Sequence, residues 1–298
     1  MVSDPTTRCS VPLEQHWVQG RGVQLHVRAA GPEDGPLVVL LHGFPEFWYG
    51  WRHQIPALVD AGYRVVVPDQ RGYNRSGAPR AVAAYDLDLL ADDVCALIDA
   101  AGRTRASVIG HDWGAMVGWH LAHAHPGRLR RLSVLNVPHP RVFRDTLRSN
   151  PAQLLRSTYA LFFQLPALPE WLLGYNDGQL LAALLRGSSH PSTFDDTDLA
   201  IYRQAWRRPG RLRGMLNWYR AAGRRALRTA PPSAPVEVPT LVVWGAQDVA
   251  LHRRMAAPSA AMCVDSRLEI IDTATHWVQH DAPDLVNRHL LDHLAAEG

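Results

Sequence analysis

The 298-residue chain predicts an α/β fold: a mostly parallel central sheet flanked by helices, with a helical insertion late in the chain. Three observations carry this expectation. From residue 22 to about 136, short apolar runs alternate with helical segments, the pattern of βαβ units. Between residues 137 and 235 the strand runs vanish and helical periodicity takes over. After residue 236 the strand runs resume. The expected organisation is therefore a core of residues 1–136 and 236–298, with an insertion of residues 137–235 between its halves.

Taken in order, Val23, Leu25 and Val27 alternate as in a half-exposed strand. Leu37 to Leu41, Tyr63 to Val67, Ala106 to Ile109 and Leu132 to Leu135 are continuous apolar runs, as in parallel strands covered on both faces. Gln153 to Gln164 and Leu199 to Arg228 read as helical, with Arg, Trp and Leu at helical spacing. The linker Pro231-Pro232-Ser233-Ala234-Pro235 closes the insertion, because proline lacks the N–H and clashes with the preceding turn. Thr240 to Trp244 and Leu268 to Ile271 complete the sheet.

Composition narrows the function classes. With 47% hydrophobic and 20% charged residues, 22 Gly and 22 Pro, the chain sits near globular averages, away from disordered, collagenous or coiled-coil compositions. No apolar run approaches the ~18 residues that span a bilayer, so no membrane association is expected. The segment MVSDPTTRCSVPLEQ has neither a basic nor an apolar leader region, and a cytoplasmic location is expected. Cys9, Cys95 and Cys263 are odd in number and scattered, which suggests neither a disulfide framework nor a metal site. The net charge is +3, and all 31 basic residues are dispersed arginines, so nucleic acid is not implied. The absence of lysine removes Schiff-base chemistry and a P-loop lysine. The insertion holds 14 Arg against six acids, a local balance of +8 that leaves −5 for the rest. A solvated helical face whose arginines pair with acids of the core is the expected explanation. Of His120, His123 and His125, the first two share a helix face at i, i+3, but no Cys or carboxylate completes a ligand set. They read as surface histidines, and no metal is expected. A homo-oligomer is left open.

The chemistry lies in Val108-Ile109-Gly110-His111-Asp112-Trp113-Gly114-Ala115-Met116, where a strand runs into a helix through glycines flanking a reactive residue. Small residues at Gly110 and Gly114 permit a sharp turn that lifts the middle side chain above the sheet, near the first helical amides. The chain contains no GxSxG, and the middle residue is Asp112. A carboxylate is a poor reagent for esters, but it displaces a leaving group from saturated carbon to give an enzyme ester that water later cleaves. Strained ethers and alkyl halides suit that chemistry. Asp after a strand is also a common helix cap, so the partners decide. Asp248 follows the strand Thr240 to Trp244, and His276 follows Leu268 to Ile271, giving the chain order nucleophile, acid, histidine. His276 takes the proton of the attacking water while Asp248 orients its ring. Leu40-Leu41-His42-Gly43-Phe44-Pro45-Glu46 follows another buried strand, and the amides of Phe44 and Trp113 are the expected oxyanion hole. The isomer of the Phe44-Pro45 bond is open at this level.

The motifs His42-Gly43-Phe44-Pro45-Glu46, Arg71-Gly72-Tyr73-Asn74-Arg75-Ser76, Gly110-His111-Asp112-Trp113-Gly114 and His276-Trp277 resemble those of the epoxide hydrolases of the α/β-hydrolase superfamily, from about residue 15 onward. The resemblance implies that the insertion is a cap supplying two tyrosines that hold and protonate the epoxide oxygen. Tyr159 in Ser157-Thr158-Tyr159-Ala160-Leu161-Phe162-Phe163-Gln164 and Tyr219 in Leu216-Asn217-Trp218-Tyr219-Arg220 match those motifs. Chemistry agrees, since an opening epoxide yields an alkoxide that leaves poorly unless a phenol of pKa ~10 donates to it. Trp48, Phe162, Trp218 and Trp277, with Phe44 and Trp113, are expected to line an apolar pocket for an uncharged substrate. Water is the one cosubstrate, and no cofactor is expected. Two departures stand out. Thr275 occupies a position where glycine commonly precedes the histidine, and is expected to shift the His276 loop or crowd its water without abolishing activity. Asn74 replaces a frequent glycine and tolerates positive φ.

Haloalkane and haloacetate dehalogenases are the nearest alternative, since they use an aspartate at the same turn. The first commonly carry Asn where this chain has Phe44, and the second Arg where it has Trp113. A non-catalytic ligand-binding relative is the remaining reading; Asp112, His276, Asp248 and both tyrosines argue against it.

Overall fold

The computed structural model describes residues 4–296; the outer ends of the expected core, residues 1–3 and 297–298, lie outside the described residues. Eight strands form one sheet: β1 (Glu14–Gly20), β2 (Val23–Ala30), β3 (Leu37–Leu41), β4 (Arg64–Pro68), β5 (Ala106–His111), β6 (Leu129–Leu135), β7 (Thr240–Gly245) and β8 (Ser266–Ile271). Their spatial order is β1-β2-β4-β3-β5-β6-β7-β8. β1 pairs antiparallel with β2, and β2 antiparallel with β4; every other pairing is parallel. The core helices are α1 (Gln54–Asp60), α2 (Leu87–Ala100) and α3 (Trp113–Ala124). Six helices then run between β6 and β7: α4 (Pro140–Ser149), α5 (Pro151–Arg156), α6 (Thr158–Phe162), α7 (Leu168–Gly187), α8 (Asp196–Trp206) and α9 (Arg211–Ala226). The chain closes with α10 (Ala256–Ala260), α11 (Val278–Asp281) and α12 (Pro283–Ala295).

The continuous apolar runs become strands buried at every position in β3, β5 and β7, because α2 packs with α3 and α1 with α12 around them. β1 was not legible as a strand. Its residues Glu14, Gln15, His16 and Trp17 are exposed, so no alternation marks it, and it is held by its ladder to β2 across the turn at Gly22. Polar side chains on such an edge also discourage pairing with other chains. Parallel pairing brings the carboxyl ends of β3, β5, β6, β7 and β8 to one side, where ligands of open α/β sheets bind.

The helical insertion differs in detail from its periodicity. Gln153 to Gln164 is two short helices, α5 and α6, broken at Ser157. Leu199 to Arg228 breaks at Pro209 and Gly210, where Gly210 takes φ 79°. α7 went unforeseen and kinks where Asn176, Asp177 and Gly178 all take positive φ. Core acids do not absorb the arginine excess as expected. Among the described residues, Arg225 pairs with Asp86 and Asp88 of the core, whereas Arg141, Arg186, Arg207 and Arg220 pair with acids of the insertion itself. Acids nearby on the same or a neighbouring helix reach these guanidinium groups first. No described helix is long and apolar enough to cross a membrane.

Candidate active site

Asp112 sits between β5 and α3 with φ 48° and ψ −121°, a conformation rarely adopted by non-glycine residues. The turn closes because a Cβ on Gly114 would run into the Leu41 carbonyl of β3, and one on Gly110 into the backbone of Gly114 and Ala115. Gly43 plays the same part opposite, since a Cβ there would strike the Asp112 carboxylate. The close approach lets the Phe44 amide donate to Asp112 Oδ1 at 2.7 Å. The Phe44-Pro45 bond that follows is cis. The Trp113 amide, at the first position of α3, has no partner within its helix by geometry. Its bond to the Asp112 carboxylate is not formed among the described residues.

His276 Nε2 lies 3.8 Å from Asp112 Oδ2, the carboxylate oxygen that does not accept from Phe44. Its Nδ1 donates to Asp248 Oδ2 at 2.7 Å. Asp248 Oδ1 accepts from the amides of Ala250 and Leu251 at 2.7 and 2.8 Å. Burial opposes the ionised Asp248, but His276 and these hydrogen bonds hold its carboxyl below the usual range. Burial also disfavours charged His276, yet Asp248, Asp112 and Glu46 outweigh it and raise its pKa to about 9.

Three groups escaped the sequence reading. Asn136, at the end of β6 with φ 54°, donates to Asp248 Oδ2 at 2.8 Å and accepts the Gly245 amide at 2.9 Å. A polar residue ending a buried strand was its one signal. His111 donates from Nε2 to the His276 carbonyl at 2.9 Å, and Gln279 donates to its Nδ1 at 3.1 Å. Glu46, quoted within a motif but given no role, is buried among Tyr202 of α8 at 2.6 Å, His280 at 2.8 Å and Gln279 at 3.1 Å. Burial works against its ionisation, but His280 and His111 hold its carboxyl well below the usual range. One buried carboxylate thus ties the loop after β3 to the His276 loop and to the insertion.

Tyr159 and Tyr219 meet over this edge with ring centroids 5.9 Å apart. Tyr219 stands edge-on to Phe44 at 5.5 Å and to Trp113 at 4.9 Å. Burial, and then the Asp112 carboxylate, push the Tyr159 phenol up; burial, with Tyr159 and Asp112, does the same to Tyr219. Tyr159 is nonetheless 41% exposed as a residue, which puts it at the rim, whereas Tyr219 is buried.

The expected aromatic lining needs two corrections. Phe163, rather than Phe162, joins the cluster: its ring lies 5.7 Å from Phe44, 5.5 Å from Tyr159 and 5.0 Å from Tyr219. The reason is helical spacing, since 159 and 163 are one turn apart, while Phe162 meets only Phe163 among the described ring pairs. Trp48 is a packing residue, buried against Phe47 and Tyr49 beneath the Arg28 guanidinium, with its amide donating to Asp69. Trp218 backs Trp113 at 5.8 Å and ties α9 down by donating to the Arg71 carbonyl at 3.0 Å. Trp277 lies 5.2 Å from His276 and donates to Ser188 of the insertion at 3.0 Å. Thr275 does not displace the histidine: its amide donates to Asp281 at 2.8 Å, its hydroxyl bonds the same carboxylate, and the His276–Asp248 bond is intact. Asn74 takes φ 37° as its residue type allows. His120 pairs with Asp88 at 2.7 Å, and His123 with His139 at 2.8 Å.

A carboxylate at a strand-to-helix turn, backed by a histidine and a second carboxylate from later strand ends, defines an α/β-hydrolase. The family model of the α/β-hydrolase fold matches residues 36–283. The chain is 46% identical over 278 residues to the AB hydrolase superfamily protein YfhM of Bacillus subtilis, covering 93% of this chain and 96% of that protein. It is 37% identical to Epoxide hydrolase 4 of Mus musculus, covering 96% of this chain and 79% of that one. The crystal structure of Epoxide Hydrolase A from Mycobacterium thermoresistibile superposes with a TM-score of 0.83 at 34% identity, over 95% of this chain and 98% of that one. The chain belongs to the epoxide hydrolases of the α/β-hydrolase superfamily.

Proposed function

We propose that this protein converts an uncharged organic epoxide and water into a vicinal diol, with α4–α9 serving as a cap over the reacting atoms. One observation carries the mechanism: an Asp112 carboxylate with one oxygen on the Phe44 amide and the other facing His276, beneath two phenols from the insertion. Asp112 Oδ2 attacks an epoxide carbon and the ring C–O bond breaks. The departing oxygen takes a hydrogen bond and then a proton from Tyr159 or Tyr219, whose neutral forms are favoured by their raised pKa values. The product is a hydroxyalkyl ester of Asp112.

Ester formation removes the Asp112 charge, one of the groups that raise the His276 pKa, so His276 gives up its proton to the tyrosinate left by ring opening and becomes the base for the second step. His276 then takes a proton from water, which adds to the ester carbonyl. The resulting oxyanion is held by the Phe44 amide and by the Trp113 amide, which is available at the helix start. Collapse breaks the ester C–O bond, and the departing alkoxide takes the proton of the new Asp112 carboxyl, which releases the diol and leaves Asp112 ionised and His276 protonated as at the start. The scheme calls for no metal or organic cofactor, because ring strain supplies the electrophile and the chain supplies both acid and base. The apolar rings of Phe44, Phe163 and Trp113 favour an uncharged substrate.

The test is diol release from a panel of aryl and alkyl epoxides by wild type and a folded Asp112→Ala variant, with halide release from haloalkanes measured in parallel. Diol from wild type alone is the expected result. Halide release without diol would transfer the assignment to dehalogenation and remove the tyrosine roles.

A further inference from the structure

A cavity of about 810 Å³ opens on the side of α9 that faces away from Asp112. Of the α9 residues that line it, Arg213, Asn217, Arg220 and Arg224 recur at i, i+4, i+7 and i+11, one stripe of a 3.6-residue helix, and Arg211 and Leu212 join them from its first turn. Met215, Trp218 and Tyr219 fall on the opposite face, toward the core. The turn between α8 and α9 contributes Arg207 and Arg208, and the core contributes Arg80. Seven guanidinium groups therefore surround a space whose lining includes a single carboxylate, Glu170.

The partners of these arginines are too few. Glu170 is already engaged by two bonds from Arg220, at 2.6 and 3.0 Å. Arg207 finds Asp177 at 3.1 Å. Arg208 reaches the neutral Asn74 Oδ1 at 3.0 Å, and Arg211 reaches the Asn74 carbonyl. Arg80, Arg213 and Arg224 have no carboxylate partner among the described residues. Arg208, Arg211 and Arg213 are half-buried, so their mutual repulsion is only partly screened by water. Burial and the neighbouring Arg208 accordingly lower the Arg211 pKa. A bound anion would relieve that repulsion, and guanidinium forks match the paired oxygens of phosphoryl and carboxyl groups. Trp206, Leu173 and Leu212 give the cavity an apolar wall as well, and its volume falls within the ~300–1,000 Å³ typical of small-molecule sites.

We propose that this cavity binds a small organic anion carrying two or more phosphoryl or carboxyl groups, at a site separate from Asp112. The proposal concerns binding alone and stands or falls independently of the epoxide reaction.

Isothermal titration of the full chain with pyrophosphate and with citrate, at constant ionic strength and against matched sodium chloride, tests it. Saturable one-to-one binding of at least one anion is expected, and its preference between the two names the group recognised. Arg213→Gln with Arg224→Gln should weaken that binding at least tenfold. Arg148→Gln with Arg228→Gln, which removes equal charge from exposed positions of the insertion outside the cavity, should leave it unchanged. If the first pair fails to fold, Arg80→Gln with Arg208→Gln takes its place. Absence of saturable binding to both anions overturns the proposal, as does equal weakening by the control pair.

Discussion

The carboxyl edge of the sheet and the helical insertion above it deliver their groups in different ways. At the sheet edge the backbone does the placing. Asp112, Asp248 and His276 each follow a strand end, and the glycines around Asp112 leave no room for another path. In the insertion, rings place rings: Tyr219 is held among Phe44, Trp113 and Phe163, and Tyr159 reaches the site from a five-residue helix. The electrostatics differ as well. At the sheet edge ion pairs separate charge, holding Asp248 down and His276 up, whereas both phenols are pushed up by burial and by the charge of Asp112. The lower region therefore carries charge and the upper one holds its protons, as the proposed two-step hydrolysis requires.

Under the proposed mechanism the two regions serve the two halves of the reaction, and a trapping experiment can break that division. His276→Gln should abolish steady-state diol formation, by at least ~10³-fold, while still allowing one equivalent of epoxide to add to the protein. Mass spectrometry of the intact chain should then show an adduct of the epoxide's mass on the peptide containing Asp112. An unmodified His276→Gln protein would mean that the histidine is needed before the ester forms, and the division would fail.

The upper region gives a smaller effect for each residue. Replacing Tyr219 or Tyr159 alone by Phe should slow ring opening by only about 10-fold, since one phenol still serves, and the double variant should lose ~10³-fold or more, beyond the ~10²-fold product of the singles. Neither single variant should accumulate the ester under conditions where His276→Gln does. Losses in the double variant that merely multiply those of the singles would show that the phenols act independently rather than as substitutes for one another.

How much of this was legible follows from the same contrast. Sequence periodicity located the sheet because strands covered on both faces must be apolar throughout, and β1 escaped because an exposed edge strand need not be. Asp112, Asp248 and His276 were legible because strand ends and glycines leave local marks. Asn136 and Glu46 were not, since their roles arise from partners more than 100 residues away: Asn136 meets Asp248, and Glu46 meets Tyr202 and His280. The choice between Phe162 and Phe163 turned on which face of α6 meets the core, which adjacent aromatic residues do not reveal. The arginine excess was visible, but its partners depended on the helix arrangement within the insertion.

Stability should register the charge of the lower region. The folded-state pKa of His276 is raised from 6.5 to about 9. Its contribution to stability is therefore fully present below about pH 6.5 and is lost as pH rises through about 9. At ~1.36 kcal/mol per pKa unit the amplitude is on the order of 3 kcal/mol. Urea unfolding of wild type should weaken between those pH values more than unfolding of His276→Gln does. Parallel curves for the two proteins would remove the proposed charge coupling between His276, Asp248 and Asp112.

The smallest effect concerns Thr275, at the position where glycine was expected. Its hydroxyl accepts the Trp277 amide at 3.2 Å and bonds Asp281, and its amide donates to the same carboxylate at 2.8 Å. The Asn136 side chain donates to its carbonyl at 3.3 Å. Two of these four bonds belong to the hydroxyl and vanish in Thr275→Gly, which also loosens the unfolded chain. The variant should lose about 1–2 kcal/mol of stability with kcat/KM changed less than about threefold, because the His276–Asp248 bond rests on Asn136 and the Ala250 and Leu251 amides instead. A rise in activity on making this glycine would mean that the threonine crowds the hydrolytic water after all. Thermal unfolding and steady-state kinetics on one preparation separate the two outcomes.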